Sequence, residues 1–99
     1  MDLDAIQDEI RRLDECIEKV REDFSPKFDA LHEQFAPWLY KSRYPADVRA
    51  RERHRYRVAY EDLCGSMMRA IQVYSYPQMA LHVQVMEWVR MNAIREVAA

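Results

Sequence analysis

The sequence predicts an all-α protein, built as a three-helix or kinked four-helix antiparallel bundle with a heptad-patterned first helix. Three observations lead there. The 99 residues contain a single glycine, Gly65, and a single asparagine, Asn92, whereas tight β-hairpins draw on Gly, Asn or Asp to reach positive φ. Apolar residues recur every three or four positions through most of the chain, the spacing of a helix with one buried face. Prolines at 26, 37, 45 and 77 punctuate those periodic stretches, and proline is favoured where a helix begins. The expectation is one helical domain over residues 1–99, with helices at about 2–24, 26–40, 45–74 and 77–97.

The first helix has the clearest pattern. Leu3, Ile6, Ile10, Leu13, Ile17, Val20 and Phe24 alternate in steps of three and four, with Leu3, Ile10, Ile17 and Phe24 at heptad position a and Ile6, Leu13 and Val20 at d. Charged residues fill the outer positions, so the seam is made for a helix lying alongside. It serves either as one wall of an intramolecular bundle or as a dimer or partner seam. Asp2 and Asp4 stand at its start, where the helix dipole favours negative charge.

Ser25-Pro26 predicts a break or sharp kink, because Ser suits an N-cap and Pro a first helical residue. The apolar series continues beyond it through Phe28, Leu31, Phe35 and Trp38 with one extra residue inserted. A third helix follows from about Pro45 to Tyr74, with Tyr56, Ala59, Tyr60, Leu63, Cys64, Met67, Ala70, Ile71 and Tyr74 in one broad stripe. Tyr74 to Pro77 predicts a corner and Pro77 a last helix. That segment is apolar on much of its circumference, from Met79 and Leu81 to Ile94 and Val97. Leu81 to Val85 alternates as a strand would, but a lone strand has nothing to pair with, and helix is the better reading. Any apolar surface that the last helix leaves uncovered would be a partner site.

Composition supports an ordered chain: 49% of residues are hydrophobic and 32% charged, a mixture that buries a core beneath a solvated exterior. The net charge of -2 conceals a segregation. Residues 1–33 hold eleven acids against five bases, while residues 41–57 hold seven bases against two acids. Within the basic segment, Lys41, Arg43, Arg49, Arg53 and Arg57 are the candidate contacts to a polyanion or an acidic partner, with Arg49, Arg53 and Arg57 spaced i, i+4, i+8 along a helix. Pairing with the acidic first helix, in the same chain or a second copy, is the favoured expectation. Nucleic acid is the runner-up, since Tyr44, His54 and Tyr56 are interleaved with the arginines. Against it stands an acidic chain, with pI ≈ 5.9.

Little points to chemistry. Cys16 and Cys64 make neither a disulfide framework nor a metal-ligand spacing. Asp29 and His32 share a helix face, yet a di-metal bundle needs a second such pair, and Glu87 follows His82 by five residues rather than three or four. No phosphate loop or nucleophile elbow is present. No cofactor, metal or small-molecule ligand is expected. The acidic start MDLDAIQDEI is unlike a targeting leader, and no apolar run approaches the ~20 residues that cross a bilayer. The expectation is a cytoplasmic protein without a membrane partner.

Leu3 to Ile17, with Ile6, Ile10, Leu13-Asp14 and Ile17, resembles the first helix of the all-helical chorismate mutases. The resemblance covers 15 of 99 residues and consists mainly of heptad spacing. It implies a helical fold and, as a third possibility for function, a small degenerate enzyme of that kind. Where the family carries a substrate-binding arginine in this helix, the chain has Gln7, which cannot supply the charge that holds a carboxylate. The functional expectation is therefore a non-enzymatic protein–protein interaction module (an adaptor, assembly factor or inhibitor), with a homodimer among its partnerships and a small dimeric nucleic-acid-binding regulator as the alternative.

Overall fold

The computed structural model describes residues 2–40 and 43–98. They form two helices, α1 (Leu3–Leu39) and α2 (Ala46–Ala98), and no strand occurs among the described residues. The all-α expectation holds, and Leu81 to Val85 is helical. Two long helices stand where three or four were expected, because α1 runs through Ser25, Pro26 and Pro37, and α2 through Pro77.

The reason lies in where the prolines face. A proline inside a helix removes one hydrogen bond to the carbonyl four residues back and crowds it. Pro26, Pro37 and Pro77 are all exposed, as are Glu22, Glu33 and Val73, whose carbonyls lose the bond. Water can satisfy those carbonyls while the opposite, apolar side of each helix stays packed. The extra residue between Phe24 and Phe28 also has a mild consequence. Steps of four, four and three average 3.67 residues per turn rather than 3.5, so the stripe unwinds locally without leaving its face.

The ends are set by ordinary means. Asp2 caps α1: its Oδ1 accepts from the Ala5 N–H at 3.0 Å and its carbonyl from the Ile6 N–H at 3.2 Å. At the other end, the Tyr40 N–H reaches the Ala36 carbonyl at 3.3 Å. Pro45 precedes α2, and its carbonyl accepts from the Arg49 N–H at 3.0 Å.

The chain divides into two compact units, one of Met1–Lys19 with Ile71–Ala99 and one of Val20–Ala70. In the first, Leu13, Ile17 and Ile71 are buried, and Gln78 of α2 donates to the Ile10 carbonyl (3.1 Å) and to the Asp14 carboxylate of α1. The two segments run antiparallel. In the second unit Phe35 is buried within a ladder of rings. Phe28 meets Tyr60 edge-on with centroids 5.4 Å apart, and Tyr56 packs against His32 at 6.4 Å and Phe35 at 5.7 Å. Such contacts add to simple area burial. Here too the order of the contacts is antiparallel.

Candidate interaction surface

The apolar series of α1 is covered to different degrees within the chain. Leu13 and Ile17 are buried, and Leu3, Ile6 and Ile10 are half-buried in the first unit; Val20 and Phe24 are half-buried in the second. Phe24 also carries the Lys27 ammonium over its ring, 4.6 Å from the centroid.

On α2 the first unit shows the opposite situation. At 100° per residue, Ile71, Tyr74, Gln78, Leu81 and Val85 share the side turned to α1, and each is buried or half-buried. Tyr76, Met79, Val83, Met86 and Val97 share the far side, with 61%, 61%, 51%, 69% and 89% of their surface exposed. Val73, Val89, Met91 and Ile94 are exposed as well. The antiparallel register sets Leu3 level with about residue 88 of α2, as judged from the 1.5 Å rise per residue. The last turns of α2 thus run past the start of α1. This apolar concentration is what the sequence marks as a helix apolar on most sides. Separating its inner from its outer side needs the position of α1.

The Arg-rich segment lies in the second unit, and its side chains have several fates. Lys41 lies outside the described residues. Arg43 and Arg57 are exposed. The Arg53 Nε donates to the Trp38 carbonyl at 3.0 Å, tying the first turns of α2 to the last of α1 through backbone rather than through a carboxylate. Arg49 is half-buried, its Nε without a hydrogen-bond partner, as is the buried Trp38 Nε1 nearby in sequence to that tie. Glu52, at 8% exposure the one buried charged residue among those described, accepts from Arg55 at 3.1 Å and lies 3.9 Å from the Arg51 Nε. Part of the basic cluster is therefore engaged inside its own unit.

Around it stands an aromatic group that sequence spacing alone does not single out. The Tyr40 hydroxyl and His32 Nε2 are 2.9 Å apart, and Trp38 packs against Phe35 and Tyr44 with centroids 6.0 and 5.7 Å away. The separation of His32, in α1, from Tyr40, one residue past its end, was the available signal. Among the described residues, no three His, Cys, Asp or Glu side chains are grouped to hold a metal ion. Nor is any helix among them long and apolar enough to cross a membrane. Cys16 and Cys64 are free thiols, both half-buried. No family model, curated protein or solved structure matches the chain.

Proposed function

We propose that the chain is a protein–protein interaction module of the adaptor, assembly-factor or inhibitor kind, and that it works by presenting the outward side of α2 to another helical surface. The observation that carries this reading is the contrast in burial. Four hydrophobic residues are buried among those described, whereas the stretch from Val73 to Val97 alone leaves ten large hydrophobics exposed. Exposed apolar side chains concentrated on one helical segment are the mark of an association site. Methionines at 79, 86 and 91 suit such a surface, because their flexible thioethers adapt to the shape they meet. The exposed arginines at the start of α2 would speed encounter with an acidic surface and add little to the lifetime of the complex.

Photo-crosslinking in cells tests the reading. A photoreactive side chain at Met86 should yield protein adducts, and the same group at exposed, polar Glu61 should not. Equal or absent labelling at the two positions would remove the proposal.

A further inference from the structure

We infer that the outward side of α2 is a second heptad seam that pairs antiparallel with the same seam of a second copy of this chain, Arg90 of each copy seated beside Glu87 of the other. The inference rests on the interaction-surface reading above and names its partner.

The spacing comes first. Tyr76, Met79, Val83, Met86, Arg90, Ala93 and Val97 follow one another in steps of three, four, three, four, three and four. Every one of them is exposed. A strict 3-4 alternation over three heptads is the pattern of a helix that lies against one neighbour along a narrow line. The side of α2 that packs on α1 is a different one, so this seam has no use within the chain.

Surface area supplies the magnitude. The chain exposes 7733 Å². A stable pairwise interface removes roughly 800 Å² from each partner. A second α2 laid along the exposed series from Tyr76 to Val97 would have to cover that area.

Charge then chooses the partner and its direction. Arg90 is the single charged residue in the seam and Glu87 stands beside it. Arg90 is part of the wall of two shallow hollows, one completed by Val83, Met86 and Glu87 and the other by Ala93, Ile94 and Val97. Four residues at i, i+3, i+4 and i+7 form such a hollow on any bare helix, and in a coiled coil each receives one side chain from the facing helix. In a parallel pair of identical chains, Arg90 would face Arg90 in the centre of the seam, two like charges shut away from water. Antiparallel pairing offsets the two arginines by about 6 Å along the axis and sets a Glu87 beside each. With Met86 set opposite Arg90, the Arg90 guanidinium enters the hollow that contains Glu87, and Val83 enters the hollow between Arg90 and Val97. Met79 then meets Val97, so the overhanging end of each α2 covers the exposed middle of the other. One register satisfies both hollows and the buried charge together, and a second copy supplies every group that it needs.

The test is association state with directed crosslinks on the full chain. Sedimentation equilibrium should give twice 11.9 kDa. Val83→Asp with Met86→Asp should weaken pairing on the order of 100-fold or more while leaving the helical circular-dichroism signal intact. Glu87→Arg or Arg90→Glu alone should weaken it about 10-fold or more, and the two together should recover most of that loss. In a Cys16→Ser, Cys64→Ser background, Met79→Cys plus Val97→Cys should form interchain disulfides. Either cysteine alone should not, since 18 residues of helix span about 27 Å. A disulfide from Val83→Cys alone would show parallel pairing and overturn the inference, as would a dimer indifferent to Val83→Asp with Met86→Asp. A chain that stays monomeric at high concentration also overturns it. If Met86 of that monomer still crosslinks to another protein, the interaction-surface reading survives; if it yields no adduct, both fall.

Discussion

The Gln78 carboxamide donates to the Asp14 carboxylate and, at 3.1 Å, to the Ile10 carbonyl, so one side chain on α2 holds two consecutive turns of α1. Gln78 directly follows Pro77, the residue where α2 was expected to begin anew. The bond anchors the turn whose own hydrogen bonding the proline weakens. A bond to an ionised acceptor contributes more than a neutral one, and exposure of Asp14 reduces the gain. A double-mutant cycle of Gln78→Ala and Asp14→Ala, read by urea unfolding, should return a coupling of about 1 kcal/mol. Additive single effects would show that the contact contributes nothing to stability.

Gly65, the lone glycine, sits inside α2 with a φ that is not positive. It marks no turn, and its permissive backbone is a liability there. A Cβ at this position would lie 3.3 Å from Arg69 Nη1, the end of a flexible, exposed side chain that can move a few tenths of an ångström. Gly65→Ala should therefore raise stability by about 0.5–1 kcal/mol. A loss of stability on thermal unfolding would mean that the close approach of Arg69 is fixed rather than yielding.

The Arg12 guanidinium hydrogen-bonds both oxygens of Glu9 one turn back and holds that carboxyl below the ordinary glutamate range, against an opposing desolvation. The sign follows from the lowered value. The pair contributes above the unfolded glutamate pKa of about 4.3 and the contribution disappears as pH falls through the lower folded value. Both groups are in solvent, so salt screens the effect. A carboxyl-carbon NMR titration should place the Glu9 midpoint below that of an ordinary glutamate, and Arg12→Gln should return it upward. An unchanged midpoint in Arg12→Gln would assign the shift elsewhere.

Helical class and the face of α1 were legible because both depend on local spacing: Leu3 to Phe24 alternates in threes and fours, and the same residues are buried or half-buried. The helix count was not legible. Ser25-Pro26 and Pro77 have the chemistry of helix starts, and local chemistry cannot reveal that the rings and the carbonyls they orphan face water. The sidedness of α2 was hidden for a related reason. Met79, Leu81, Val83, Val85 and Met86 read together as a helix apolar all round. Once Leu81 and Val85 are seen to turn inward, the remaining residues fall into a separate 3-4 series. The arginines illustrate a third limit, since the bond from Arg53 to the Trp38 carbonyl pairs a side chain with backbone, and residue types do not advertise backbone acceptors.

Leu13 and Met86 carry comparable apolar bulk, and their environments separate folding from association. Leu13 is 4% exposed and Met86 69% exposed. Leu13→Ala removes buried methyl groups and leaves a space that two helices can only partly close, so at dilutions where the chain is monomeric it should lose about 2–4 kcal/mol of unfolding free energy. Met86→Ala under the same dilution should change it by no more than about 0.5 kcal/mol, as for a surface site. At higher concentration the order of sensitivity should change: mass action adds the free energy of association to the stability of any chain that pairs, and Met86→Ala forfeits part of that addition. Unfolding curves of both variants over a hundredfold range of concentration make the measurement. A Met86→Ala penalty that is large and independent of concentration would place this side chain in the core of the single chain, and the outward side of α2 would then not be a surface at all.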